Sequence, residues 1–502
     1  MKSLCSEYPT AVYTANQIRQ LDRMTVDELG VTSYELMRRA GKAAFGLLRN
    51  HWPQAQTMAV FCGPGNNGGD AYVLAEFALE SGMQVRLISV TPEQQLQGNA
   101  LEAWSRCRQQ GVRFDVFSED CPLAEDVIVD GLLGIGLSRG LEGNILAAVD
   151  MINASGIPVL ALDIPTGLDS NTGMVHGSSV KADVTVAFVG LNQGLFLGVG
   201  PDCVGKLEFS SLSIPSSLYD QVTARVQRIT TSILEKALRP RSQLVHKGMN
   251  GSLLLVGGEP GMSGAIRLAS EAALRSGAGL VRVATHPDSV ASVMAGRAEV
   301  MCYGVMSKEE LQPLLQSAEA VVLGPGLGQS AWAQNLWQCV IESQLPVILD
   351  ADGLNLLSSN VLARGNWILT PHPGEAARLL KTDTATVQAD RLGAVIELAK
   401  QFKGVTVLKG TCSLVSTGKY PISLCDGGNP GMATAGMGDV LAGLLGGLAV
   451  QTGNLELTAQ AGVVIHAASG DSAALDGERG LLAGDVIGNI RSWMNPPYNS
   501  HK

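Results

Sequence analysis

The chain has 502 residues, 46 % hydrophobic and 16 % charged, a balance too apolar and too lightly charged for a disordered polypeptide. At roughly 150 residues per domain the length points to two or three globular units. A net charge of −10, without Lys/Arg clusters interleaved with aromatics, argues against a nucleic-acid surface, and the longest apolar stretch, 440–450, is broken by glycines and far short of the roughly 20 residues of a membrane span. Residues 1–17 show no apolar segment behind the lysine and no Arg-rich amphipathic run, so the cytosol is the expected compartment. Nine cysteines lie scattered without a C-x-x-C pair or a histidine ligand set, the pattern of reduced thiols.

In chain order, MAVFCG (58–63), QVRLISV (84–90), DVIVDGLLG (126–134) and PVLALDIP (158–165) read as strands, alternating with helical patterns such as AYVLAEFALESG. That alternation predicts a parallel sheet with crossover helices. GPGNNGGD follows the first of these strands and feeds a helix, so its backbone N–H groups can approach an anion while Asn66, Asn67 and Asp70 add directed side-chain groups. An ordinary βα turn is the alternative, because Asn and Gly tolerate positive φ; the doubled Asn and the trailing Asp weigh against it. VDGLLGIGLSRGLEG follows the strand ending at Asp130 and LDIPTGLDSNTG the strand ending at Asp163, which brings three strand ends to one crevice. Asn67, Asp130 and Thr166 offer only oxygen ligands, which suit a hard cation. Asp130 and Asp163 as mere turn caps remain the alternative.

These motifs, with TANQIRQLDRMTVDELG and LMRRAG upstream, resemble the NAD(P)H-hydrate epimerase family over most of residues 10–215. The resemblance implies a Rossmann-like fold that interconverts the R and S epimers of hydrated NADH or NADPH. It further implies that Asn66, Asn67, Gly68, Gly69 and Asp70, together with Gly134, Ile135, Gly136, Leu137, Ser138, Arg139 and Gly140, hold the substrate. Asn67, Asp130 and Thr166 would ligate K+, with Asp163 catalytic at the reacting ring. Thr166 stands where many relatives carry Ser and presents the same oxygen.

The strand–helix rhythm weakens after LEFSSLSIPSS and passes through a polar stretch, which places a boundary near residue 222 and gives domains 1–222 and 223–502. The second half is again α/β, with strands SLLLVGG, LVRVAT, AVVLGPG, PVILDADG, WILTPHPG and VTVLKGT. Its glycine motifs do not match those of the first half in position, so the halves read as different modules. GNPGMATAGMGDVLAGLLGGL (428–448) is a loop of small residues running into an apolar helix. Stacked N–H groups at such a helix start form a hole for charge developing on a phosphoryl group, and Asp439 stands ready to take a hydroxyl proton. As a plain N-cap, Asp439 would need no such run of glycines. No Walker loop occurs; Lys409, at the end of a strand, and the backbone around it are the candidates for holding nucleotide phosphate. His372 sits between prolines on a loop that can aim it into a cleft.

Together HKGMNGSLLLVGG, MSGAIRLASEAALRSGAGLV, GPGLG, DADGLN, TPHPGE, LKGT and NPGMATAGMGDVLAG resemble the ADP/ATP-dependent NAD(P)H-hydrate dehydratases, within the ribokinase-like superfamily, over roughly residues 230–490. The resemblance implies substrate contact by Ala265, Gly326, His372 and Asp439, nucleotide contact by Lys409, Gly410, Thr411, Cys412, Ser413 and Gly438, and use of ADP or ATP with Mg2+. Met437 stands where others often have Thr. The expected fold is thus a Rossmann-like domain followed by a larger ribokinase-like one, the expected assembly a homo-oligomer, and the expected work the epimerisation and dehydration of hydrated NADH or NADPH. A ribokinase-like vitamin or sugar kinase and a non-catalytic nucleotide-binding scaffold are the alternatives.

Overall fold

The computed structural model describes residues 8–137, 139–360 and 362–496. It forms two compact units, one spanning Ala11–Arg225 and the other comprising, among the described residues, those from Val226 to 496 together with residues 8–10.

In the first unit the strands are β1 (Ala11–Tyr13), β2 (Thr57–Cys62), β3 (Gln84–Ser89), β4 (Arg113–Val116), β5 (Val127–Gly131), β6 (Val159–Leu162), β7 (Val184–Phe188), β8 (Leu191–Asn192) and β9 (Lys206–Ser210). Seven of them form a parallel sheet in the order β4-β3-β2-β5-β6-β7-β9, while β1 pairs with β8. The central strands β2, β5 and β6 are apolar along almost their whole length and buried, as a sheet covered on both faces requires. The chain leaves β2 toward β3 on one side and later returns to place β5 on the other, so the strand order reverses between β2 and β5. A crevice opens at the carboxyl ends at such a point, and the loops that begin at Gly63 and Leu132 border it.

The second unit contributes β10 (Val226–Arg228), β11 (Ser252–Val256), β12 (Leu280–Thr285), β13 (Met301–Gly304), β14 (Ala320–Leu323), β15 (Val347–Leu349), β16 (Trp367–Leu369), β17 (Val405–Leu408), β18 (Ser413–Ser416) and β19 (Ile422–Cys425). Their order is β13-β12-β11-β14-β15-β16-β17-β18-β19-β10. Pairing is parallel up to β17, then antiparallel through β18 and β19. No strand pattern in the sequence marks that hairpin; connections too short for a crossover helix force the antiparallel arrangement. A second reversal of strand order falls between β11 and β14.

The apolar stretch around 440–450 lies in the helix Met437–Thr452, which is buried nearly all round and packs against the helix Ser263–Arg275. Gly443 permits that approach: a Cβ there would lie 1.9 Å from the Ala269 carbonyl oxygen. No helix among the described residues is long and apolar enough to cross a membrane.

Candidate functional sites

In the first unit the helix Asn66–Glu80 starts one residue after Gly65, its N-cap, without a side-chain cap, so its first N–H groups stay available to a ligand. Beside it lies a cavity of about 730 Å³, lined among others by Asn66, Asn67, Asp70, Gly134, Ile135, Gly136 and Asp163. Gly68 and Gly69 are buried behind this lining: a Cβ on Gly68 would meet the Gly63 carbonyl and one on Gly69 the Met37 side chain. Leu137, Arg139 and Gly140 do not line the cavity, Arg139 and Gly140 being exposed, and Ser138 lies outside the described residues.

Asp163 follows β6 with φ of 65°, an uncommon backbone for a residue with a Cβ. Its Oδ2 accepts the Ile135 N–H at 3.2 Å, which ties the end of β6 to the glycine turn after β5. Burial pushes its carboxyl up to about 6. Two residues that the motif reading did not single out complete the cavity. Arg19 donates to the Ile135 carbonyl at 3.2 Å, and Asp22 lines the wall with its carboxyl pushed up to about 7 by burial and by the charge of Asp163. Both lie on the helix Ala15–Leu29, at i and i+3 on one face.

Asp130 and Thr166 sit below the cavity lining, fully buried. The Thr166 hydroxyl donates to Asp130 Oδ1 at 2.7 Å, the Thr166 N–H to Oδ2 at 2.8 Å and the Leu132 N–H to Oδ1 at 3.2 Å. Burial raises the Asp130 carboxyl to about 6 against those three bonds. Asn67 is 6 % exposed, yet neither its Oδ1 nor its Nδ2 has a hydrogen-bond partner. A buried amide in that state is costly unless something else meets it.

The second site gathers at the carboxyl ends of five parallel strands. Gly326 follows β14, and a Cβ there would stand 3.3 Å from Ala265 Cβ, so these two small residues share one wall. Asp350 follows β15 and is 1 % exposed; its Oδ1 accepts the Thr370 hydroxyl at 2.7 Å and Lys409 Nζ at 2.8 Å. Glu375 Oε2 is 3.8 Å from the same ammonium. These carboxylates hold Lys409 protonated by raising it above its ordinary value against the opposing effect of burial.

His372 caps the helix Pro373–Leu380. Its Nδ1 accepts the N–H groups of Gly374 and Glu375, which leaves the ring proton on Nε2. Its pKa is lowered by burial and by Lys409, so the imidazole is neutral. Asp439 is the third residue of the helix that begins at Met437; the N-cap is Gly436, in the left-handed region, and no side chain caps this end. Asp439 is therefore free of the capping role and is pushed up to about 7, first by burial and then by the charge of Asp350, with Lys409 opposing. At Gly438 a Cβ would come within 3.2 Å of Lys409 Nζ and 3.6 Å of Asp350 Oδ2. Met437 is 7 % exposed and belongs to the apolar core.

In the turn after β17, Gly410 and Thr411 are exposed while the Cys412 thiol faces inward, 2 % exposed. Arg391, which the motif reading also missed, is buried behind this turn and donates through Nη2 to the carbonyls of Cys412 (2.8 Å), Lys409 (3.3 Å) and Leu408 (3.5 Å). The turn thus presents backbone and Thr411 outward over a buried guanidinium.

Residues 33–194 match the family described as YjeF-related protein N-terminus, and residues 253–491 match NAD(P)H-hydrate dehydratase. Over 488 residues, 97 % of this chain and 100 % of the relative, the chain is 44 % identical to the Coxiella burnetii protein named bifunctional NAD(P)H-hydrate repair enzyme. It is 41 % identical over 497 residues, 99 % of this chain and 96 % of the relative, to the Escherichia coli protein of the same name. Among solved structures, a ribokinase-like superfamily protein from Enterococcus faecalis is similar at 28 % identity and a TM-score of 0.50, covering 54 % of this chain and 95 % of that one.

Proposed function

The chain belongs to the family of bifunctional NAD(P)H-hydrate repair enzymes, and from that premise we propose that its first unit epimerises the R and S forms of hydrated NADH or NADPH while its second dehydrates the S form at the expense of ADP or ATP. The observation that carries the reading is Asp439, an uncapped carboxylate at a glycine-bounded helix start beside the Asp350–Lys409 pair.

Hydrated NADH carries a hydroxyl at C6, a poor leaving group. Asp439 takes its proton as the oxygen attacks the terminal phosphoryl group, the bond from that phosphorus to the bridging oxygen breaks to release AMP from ADP or ADP from ATP, and the N–H groups at the helix start receive the charge that develops there. Phosphate then leaves C6, and loss of the neighbouring ring proton restores the dihydropyridine. Lys409, with Gly410, Thr411, Cys412 and Ser413 around it and Gly438 opposite, is the nucleotide side of the site; Ala265, Gly326 and His372 form the substrate side. No three His, Cys, Asp or Glu side chains among the described residues converge into a metal cage. Mg2+ accordingly fits as a companion of the nucleotide phosphates, its usual mode of binding. Incubating the protein with a mixture of R and S hydrated NADH and each nucleotide, and following the absorbance of restored NADH, tests the whole reading; no recovery with either nucleotide would end it.

In the first unit Asp163 works at the reacting ring, with Asn66, Asn67, Asp70 and the turn residues Gly134, Ile135 and Gly136 around the substrate. The unpartnered amide of Asn67 beside buried Asp130 and Thr166 is a set of oxygens that suits a large, weakly hydrated cation, and K+ would be held there. When bound, it supplies a fixed positive charge under the substrate loops. Anomalous diffraction from crystals soaked in a rubidium or thallium salt should reveal an ion at Asn67, Asp130 and Thr166. Asp130→Ala should slow epimerisation and abolish its potassium dependence while dehydration of the S epimer continues. A stability loss of about 1–3 kcal/mol with potassium dependence unchanged would instead make Asp130 a purely structural acceptor.

A further inference from the structure

Epimerisation at C6 by loss and return of water takes an oxygen from one face of the ring and adds another to the opposite face, a route that calls for an acid on one face and a base on the other. We propose that Asp22, on the helix Ala15–Leu29, is the second catalytic acid/base of the first unit, paired with Asp163 across the cavity. The inference rests on the epimerase reading above.

Asp22, Asp70 and Asp163 line one cavity, and the charge of Asp163 bears on both of the other carboxylates. Asn67, 6 % exposed and without a partner for either polar atom, lines the same space, as expected of a cavity built to receive a bound group. The helix that carries Asp22 is held firmly. Thr14 and Gln17 form a capping box at its start, the Ala15 N–H donates to Asn171 Oδ1 at 3.0 Å, and Ile18, Leu21 and Thr25 are buried. The charged and titratable groups around Asp22 are Arg19, Arg23 and Asp27 on its own helix, Asp70 and Asp163 from other elements lining the cavity, and Tyr219, on which its charge bears. Burial drives the upward shift of Asp22, Asp163 adds to it and Arg19 opposes it. Burial raises both carboxyls, and the charge of Asp163 raises Asp22 further, the setting in which two neighbouring carboxylates share a single proton.

The step balances with that single proton. The protonated aspartate gives it to the C6 hydroxyl; the C–O bond breaks, its electron pair leaves with the departing water, and the lone pair of ring N1 forms the C6=N1 double bond. Water then adds its oxygen to C6 from the other face, the double-bond pair returns to N1, and the proton released from that water passes to the ionised aspartate. One water leaves, one enters, and the proton has crossed from one aspartate to the other, so each direction of reaction ends in the state from which the reverse begins.

The test uses the full-length protein, the purified R epimer of hydrated NADH and no nucleotide, with both epimers followed chromatographically against the spontaneous rate. Asp22→Asn should lower kcat for epimerisation by at least about 100-fold with KM within about twofold, and Asp22→Glu should regain part of it. Dehydration of the S epimer with nucleotide should stay within twofold. The wild-type protein supplies a measurement independent of any variant: its epimerisation kcat/KM should fall as pH rises through about 7, because the acid is then lost from the free enzyme. Wild-type kcat/KM without an alkaline limb overturns the assignment, as does an Asp22→Asn variant that epimerises at the wild-type rate or loses only KM. Wild-type protein that does not epimerise at all would instead remove the reading on which the proposal stands.

Discussion

At the scale of single residues, Asp439 has the most exacting position. In the reaction we propose it must be ionised to accept a proton, and burial pushes its carboxyl up to about 7, so the rate of dehydration should fall about tenfold per pH unit below 7 and level off above it. Asp439→Asn should retain nucleotide binding, measured by calorimetry, while NADH recovery drops by at least about 100-fold. A variant that recovers NADH at a near-normal rate would remove Asp439 from the reaction. Lys409 shows the reverse relation between a residue and its setting. From the sequence it is a strand-end lysine available to phosphate; in the fold it is already engaged by Asp350 and Glu375, so a nucleotide phosphate must share its charge with two carboxylates.

At the scale of elements, both sites stand on loops at the carboxyl ends of parallel strands. The strands were legible because a run such as SLLLVGG joins an apolar strand to a glycine turn within a few residues. LVRVAT corresponds to β12 from first residue to last, and GPGNNGGD opens the helix at Asn66 as its glycines imply. The residues that escaped the reading are those whose role is fixed by distant partners. Asp350 meets Lys409 across 59 residues and Arg19 meets Ile135 across 116; neither spacing leaves a local pattern. Arg391 is the clearest case, an arginine at the start of a helix that serves a turn near residue 410. Because its guanidinium is buried against three carbonyls, Arg391→Met should cost about 3 kcal/mol of stability and raise the KM for nucleotide at least about tenfold. Arg391→Lys should not restore it, since one ammonium does not reproduce the planar fork. Thermal melting and nucleotide-dependent kinetics of the two variants check both statements.

At the scale of the whole molecule, the two units divide the labour. A truncated chain beginning at residue 226 should dehydrate the S epimer and leave the R epimer to its slow spontaneous epimerisation; consumption of R at the full-length rate would contradict the division. That truncation also removes a small part of the second unit. Arg228 donates its N–H to the Thr10 carbonyl at 2.7 Å and its guanidinium to the Pro9 carbonyl, and pairs with buried Asp426. The shortened chain should therefore melt somewhat lower even where it remains active.

The grouping of the residues before Ala11 with the second unit bears on how the chain comes to be folded. The first unit is in effect an insert, and the contacts of Thr10 with Arg228 close a loop whose ends are separated by the whole of residues 11–225. As an open coil, a loop of that length would cost on the order of 5 kcal/mol to close, whereas a folded insert arrives with its ends already fixed. During synthesis the first unit emerges complete while the opening segment still waits for its partner strand, so the order of translation favours building the insert first. Damage that unfolds the first unit should then reach beyond epimerisation, because it returns the closure cost to the second unit.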